Sequence, residues 1–449
     1  MNSTMEQIDQ WNLKPVESFL RSTSHSDWQS NVNTALADIE RKQPSLSIEE
    51  KFKSLIQLDH KVGCVWSALS LFDLQHSTQA PDPDREAWLC EVSQKLIEQL
   101  DELSESIACH NEPLPELIRH WSASLQEEKQ VTELINAYSA MNKASASSSC
   151  ALLRRPQIDP EANALQYRLR QNGLTQASIA FTEAHAQESQ AYFGTLSATS
   201  GLKSAWLSDI RQFEKAQYRI PEFDWADALA CIGSIFESIH PICKTYVSDT
   251  INNGHIRRLE NQCQPDMSID TPFGSFVQLH FDGSLYGLSR MAHELGHAIH
   301  QRLHRESTVG VIALTDVESE TWAMAIENSF LEQLMISRSE WAGQIDAFLR
   351  FQRIEMNHRH RMLTHFECLL YEHNIQDEAE INDLWLQVNH RFHGPDIRFD
   401  AEFQSAWKGV KHLYFAPFYL SVYAIAKERA DRCDLRSMIQ AYYSKKEVI

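Results

Sequence analysis

The chain has 449 residues, 43 % hydrophobic and 23 % charged, enough apolar material for a large buried core. Its net charge of −20, from 61 acidic and 41 basic residues, repels phosphate backbones and argues against a nucleic-acid partner. No apolar run approaches the roughly 20 residues that cross a membrane, and the opening MNSTMEQIDQWNLKP lacks the basic-then-apolar pattern of a secretion signal.

The nine cysteines are scattered and odd in number, and none forms a CxxC pair. That pattern suits free thiols in a reducing compartment, and so the cytoplasm. Gly and Pro are scarce, at 14 each, which favours long helices over turn-rich β architecture. The expected fold is therefore mainly α.

In chain order, SIEEKFKSLIQLDHKVGCVWSALSLFDLQ puts Phe52, Leu55, Ile56, Leu58, Val62, Val65 and Trp66 near the 3.6-residue period of an amphipathic helix. STQAPDPD (77–84) interrupts it, and DREAWLCEVSQKLIEQLDELSESIACH resumes the period with Trp88, Val92, Leu96, Leu100 and Leu103. NKASASSSCALLRRPQIDP (142–160) is polar and small, a loop or linker. We divide the chain into an N-terminal helical lobe (1–200) and a second domain (201–449) that carries the chemistry. Helical texture continues through DWADALACIGSIFESIHPICKTYVSDTI. Then TPFGSFVQLHFDGS (271–284), with Phe276, Val277, Leu279 and Phe281 between glycine turns, reads as a short strand or hairpin.

Immediately after it comes RMAHELGHAIHQ (290–301). Asp282 or Ser284 caps a helix from about 285 to 305, with Leu288, Met291, Leu295, Ile299 and Leu303 as its apolar stripe. His293 and His297 stand four apart, so both imidazoles leave one face and reach one ion. Glu294 is rotated by about 100° from His293. It does not bind the same ion easily, but it reaches a water there, the geometry of a general base. The chain holds 20 histidines, so the competing reading is a surface helix with spare imidazoles. His300 and His304 read as exposed or supporting residues.

A catalytic zinc takes three protein ligands and leaves one position open. LTDVESETWAMAIENSFLEQLM offers Glu318 and Glu320. Thr315 followed by Glu318 matches a capping box, which gives Glu318 a structural job and leaves Glu320 as third ligand. Glu327, seven residues on, is either a surface charge or an acceptor that orients a metal-bound histidine.

HELGHAIH followed by ETWAMAIEN resembles the zinc site of the oligoendopeptidase F branch of the thimet oligopeptidase family, whose pattern is HExxH and then E-x-x-[S/A]-M-x-x-E. HLYFAPFYLSVYAIA (412–426) resembles the family's histidine and tyrosine segment, which aligns His412, Tyr419 and Tyr423 with it. HFECLLYEH (365–373) resembles a family helix carrying Phe-Glu. The resemblance covers roughly residues 270–430. It implies one Zn2+ per chain on His293, His297 and Glu320, and a large helical gluzincin body. A small β element would lie beside the active-site helix, with a cleft between two lobes. Without the motif, the aromatics of 412–426 at helical spacing read as core. The chain departs from the family in Leu420, where some members carry another tyrosine. It also lacks the basic, glycine-rich stretch before the strand, and it is shorter than most members.

The implied activity is a zinc metalloendopeptidase acting on short unstructured oligopeptides. Glu294 would take the proton from the attacking water. Tyr423, with Tyr419 or His412, would meet the oxyanion. An extended peptide would add to the edge of the Phe276–Phe281 strand. Two competitors are a helical zinc carboxypeptidase, which needs a cation for the substrate carboxylate, and a non-catalytic peptide-binding protein, which has no use for Glu294.

Overall fold

A computed structural model describes residues 83–108 and most of 172–444, with short stretches of 12–62 and single positions at 165, 168 and 169. The loop-like 142–160 segment lies outside the described residues, as does most of the proposed 1–200 lobe.

Helices dominate the described residues. The longer ones are α1 (Pro83–Ala108), α2 (Glu183–Ser200), α3 (Leu207–Gln217), α4 (Trp225–Ile239), α5 (Pro241–Asn252), α6 (Leu285–Arg305), α7 (Asp316–Ser337) and α8 (Ala342–Gln352). After a π-helical turn (Arg353–Arg359) come α9 (His360–Glu372), α10 (Glu378–His393), α11 (Leu420–Ala430) and α12 (Leu435–Ser444). α1 buries Val92, Leu96, Leu100 and Leu103, the stripe its period predicts. The stretch expected to be helical from 224 to 251 is two helices. Pro241 cannot continue α4 but sits well at the first position of α5, whose cap is His240 Nδ1 accepting from the Ile242 N–H at 3.2 Å.

Three strands form one small sheet in the order β1 (Ile256–Arg258), β3 (Gly274–Leu279), β2 (Met267–Thr271). β3 pairs in parallel with β1 (Ile256 opposite Val277) and antiparallel with β2 (Ile269 opposite Phe276). This corrects the expected peptide template. β3 is the central strand and both its edges are taken, so among the described residues β1 and β2 are the edge strands. The strand also ends at Leu279. Phe281 lies beyond it and packs edge-on against Trp225, 5.6 Å between centroids.

The apolar residues gather in two main cores. One joins α4, α5, the sheet, α6, α7, α8 and α12 through Ile232, Phe236, Val277, Leu295, Ile326 and Phe330. The other joins α2, α3, α9 and α10 through Phe193, Ile210, Phe366, Trp385 and Phe392. Met324 and Ala325 of α7 meet Ala426 and Ala430 of α11 in a contact of mostly small side chains. Close approach there brings the start of α11 against the start of α7. Ser284 caps α6, accepting from the Gly287 N–H at 3.1 Å. The predicted stripe Leu288, Met291, Leu295, Ile299 and Leu303 is fully buried, each side chain contributing about 1.5–3 kcal/mol.

Cys231, Cys243, Cys368 and Cys433 are free thiols. No helix among the described residues is long and apolar enough to cross a membrane.

Candidate metal centre

α6 and α7 cross at Gly296. A Cβ there would stand 2.9 Å from Ala323 Cα and 3.0 Å from its carbonyl oxygen, closer than two helices tolerate. With glycine at the crossing, the helix after the capped turn at Thr315 lies directly over the HExxH face. His293 and Glu320 are buried and His297 is nearly so. Glu320 Oε2 lies 3.3 Å from His293 Nε2 and 3.6 Å from His297 Nε2. The donor atoms of the three residues all fall within 4.8 Å of one another, the one such group of three among the described residues.

Two observations test whether a cation fits. Glu320 Oε2 is buried and accepts no hydrogen bond of good geometry, only the two longer approaches of the imidazole nitrogens, a costly state for a carboxylate oxygen that a cation would relieve. The donor set, two imidazole nitrogens and a carboxylate oxygen, suits zinc and leaves the fourth position open. The electrostatics agree. Burial opposes charge on His293, yet the carboxylates of Glu320 and Glu327 outweigh it and lift its pKa to about 10. Burial likewise opposes ionised Glu320, but His297 and His293 hold it well below the usual carboxylate range. A pocket that pulls a proton this strongly onto an imidazole is a pocket that favours positive charge.

Each ligand candidate is held from behind. His293 Nδ1 faces Glu327 Oε2 at 3.2 Å. Glu327 is buried, and its other oxygen accepts from Gln352 Nε2 at 2.6 Å and from the Ser289 hydroxyl. Of the two roles expected of Glu327, the geometry is that of the orienting acceptor. His297 Nδ1 faces Ser319 Oγ at 3.1 Å. The Tyr419 hydroxyl donates to Glu320 Oε1 at 3.0 Å. Such partners fix the imidazole tautomer and the carboxylate rotamer.

Glu318 is turned elsewhere. Thr315 Oγ1 accepts from its N–H at 3.2 Å, but the expected capping box is only half formed, because its carboxylate partners the Tyr442 hydroxyl rather than the Thr315 N–H. His300 and His304 are not spare surface groups either. His300 is fully buried, stacked on Trp322 with centroids 4.7 Å apart, and its Nε2 meets the Tyr442 hydroxyl at 2.8 Å. His304 Nδ1 approaches the same hydroxyl at 3.5 Å.

Glu294 is buried, and Arg290 NH2 donates to its Oε1 at 3.1 Å. The aromatic segment lies close by. His412 stacks on Tyr419 (5.9 Å) and meets Tyr423 edge-on (5.7 Å). Tyr423 also packs on His360 (5.2 Å), the first residue after the π-helical turn. Phe418, just before Tyr419, has φ +60°, a conformation that costs a non-glycine residue about 1–3 kcal/mol. Glu367 pins it, Oε2 accepting the Phe418 N–H at 2.9 Å. The Phe-Glu helix thus acts on the tyrosines through one buried backbone bond.

Several of these residues escaped the sequence reading. Arg290 stands four before Glu294, and that spacing of opposite charges could have revealed it. Asp266, which accepts from Arg290 NH2 at 3.3 Å, Gln352 and His360 are distant in sequence and left no such signal.

No protein-family profile matches the chain. It is 25 % identical over 159 residues to the chromosomal oligoendopeptidase F of Lactococcus lactis subsp. cremoris, a match covering 33 % of this chain and 26 % of that relative. In fold it is similar to a solved structure from Chlamydophila abortus provisionally named a peptidase (TM-score 0.58, 14 % identity, 99 % of this chain and 93 % of that one). It is also similar to PZ peptidase A solved with an inhibitor (TM-score 0.62, 12 % identity, 94 % and 89 %). A provisionally named oligoendopeptidase F gives a TM-score of 0.60 at 13 % identity over 94 % and 90 %. Over part of its sequence and nearly all of its fold, the chain resembles oligoendopeptidase F and its relatives.

Proposed function

We propose that the chain is a zinc-dependent metalloendopeptidase that cleaves short unstructured peptides, with one ion per chain on His293, His297 and Glu320. The convergence of those three side chains, with Glu294 next in sequence to His293, carries the reading. Bound there, zinc would supply Lewis acidity and a water acidified toward neutrality.

The chain's own residues do the rest. Glu294 Oε1 is held by Arg290, which leaves Oε2 to take a proton from the attacking water and pass it to the leaving amine. Tyr419 is engaged by Glu320. That leaves the Tyr423 hydroxyl as the preferred donor to the oxyanion, with His412 beside it. Burial lowers the pKa of His412, which keeps its ring neutral and able to donate from one nitrogen.

An extended substrate would add to β2 rather than β3. Ser268 Oγ of β2 meets Gln301 Oε1 at 3.1 Å and Asp270 pairs with Arg305 at 2.5 Å, on the α6 stripe that holds Glu294. Main-chain pairing there gives affinity with little sequence preference. A carboxypeptidase would need a cation for the terminal carboxylate, and Arg290, the one beside Glu294, is taken by Glu294 and Asp266. The net charge of −20 favours peptides over nucleic acids, and the free thiols fit a cytoplasmic setting.

The test is mass spectrometry of a random peptide pool incubated with the purified chain and with Glu294→Gln. Cleavage at internal bonds by the first, abolished by a chelator and restored by zinc, is expected. The variant should bind the metal but lose about 10²–10⁴ in rate. Equal cleavage by both would remove Glu294 from the mechanism.

A further inference from the structure

Arg290 has no place in the zinc motif, yet it holds the motif's glutamate. Its NH2 group donates to Glu294 Oε1 at 3.1 Å. It also donates to Asp266 Oδ2 at 3.3 Å, and Nε reaches that oxygen at 3.4 Å. Asp266 in turn accepts the His280 backbone N–H (2.8 Å) on its other oxygen, which also meets His280 Nδ1 at 2.6 Å. Asp266 immediately precedes β2 and His280 immediately follows β3, so this carboxylate closes the end of the β2–β3 ladder. The guanidinium is thus a bridge from that ladder end to Glu294, in a site where Glu294 is buried.

We propose that Arg290 is a positioning residue. It fixes Glu294 in the orientation needed for proton transfer, and Asp266 holds it there, so that the β2–β3 end and Glu294 move as one unit. A planar guanidinium suits this task because it spans two carboxylates in a fixed plane. The consequence is a route from substrate to base. A peptide paired along β2 steadies the strand end, and Asp266 and Arg290 pass that order to Glu294. Binding energy from residues remote from the scissile bond then appears in kcat rather than KM.

The inference rests on the peptidase reading, and its test separates the two. Arg290→Gln, Arg290→Lys and Asp266→Asn are compared with the parent chain on quenched fluorogenic peptides of four and eight residues, with metal content measured for each. Arg290→Gln is expected to lower kcat by at least tenfold, with KM within twofold and one ion per chain retained. Arg290→Lys should recover part of the loss, and Asp266→Asn should show an intermediate one. The parent's gain in kcat from the shorter to the longer peptide should vanish in Arg290→Gln. Unchanged kcat, or a loss confined to KM or to metal content, overturns the proposal. If the parent cleaves nothing, the peptidase reading fails, and a double-mutant cycle decides the bridge. Arg290→Gln and Glu294→Gln should then shift the urea midpoint non-additively, and strict additivity would reject it.

Discussion

The two halves of the candidate site are built differently. The metal half sits on two regular helices whose crossing admits only glycine at Gly296, and each ligand candidate has a partner behind it. The tyrosine half hangs on irregular backbone. Phe418 has a positive φ, His360 follows a π-helical turn, and the bend is held by Glu367, which accepts the Phe418 N–H, and by Ser421, which donates to the Phe418 carbonyl. Irregular backbone of this kind gathers at functional sites. The first half is placed by packing, the second by a few polar contacts, and the two should fail in different ways.

The sharpest way to break the metal half is Glu320→Gln. It removes the carboxylate both imidazoles face, and the protein should lose its ion and all cleavage. A variant that keeps stoichiometric zinc in elemental analysis would sink the assignment. Acid should strike the other half. Burial first, with Arg359 nearby, holds the pKa of His360, which packs on Tyr423, down to about 4 from an ordinary 6.5. Below pH 6.5 the unfolded chain takes up protons that the folded chain refuses until about pH 4. The contribution of His360 is therefore full above 6.5 and falls across that window, by up to about 1.4 kcal/mol per pH unit. Urea midpoints between pH 7.5 and 4.5 measure the slope. His360→Gln should flatten it without touching the ligands, and an unchanged slope would show that His360 takes no part.

Glu327→Gln is a smaller perturbation of the metal half. It keeps the volume but weakens the acceptor behind His293, and metal affinity should fall about 10–100-fold, read by competition with a chromophoric chelator. Glu367→Ala is its counterpart on the tyrosine side. It orphans the Phe418 N–H at a cost of about 1–3 kcal/mol. It should lower the melting temperature and kcat while metal affinity stays put. Loss of metal in Glu367→Ala would mean that the two halves are not separable.

Local chemistry made the metal half legible. Spacing four put His293 and His297 on one face with Glu320 beside them, while the capping box expected to occupy Glu318 forms only its threonine half and Tyr442 takes the carboxylate. The 3.6-residue period marks the α6 stripe, and Pro241 marks the break between α4 and α5. What escaped depends on residues far apart in sequence. The central place of β3 requires β1 and β2 on either side, and short strands carry no label for their neighbours. Glu327 could not be told from a surface charge until Ser289 and Gln352 closed around it. The φ of Phe418 has no signature in its side chain, since nothing about phenylalanine favours that bend.

The crossing at Gly296 also bears on how the motif should be read in other chains. Of its five letters, three carry the proposed chemistry, but the one before the second histidine answers to Ala323 of the neighbouring helix α7. Its size is set by how near the partner helix must come for a carboxylate to arrive at all. A lineage that thickened this position would have to push α7 outward and carry the Glu320 carboxylate away from the two imidazoles.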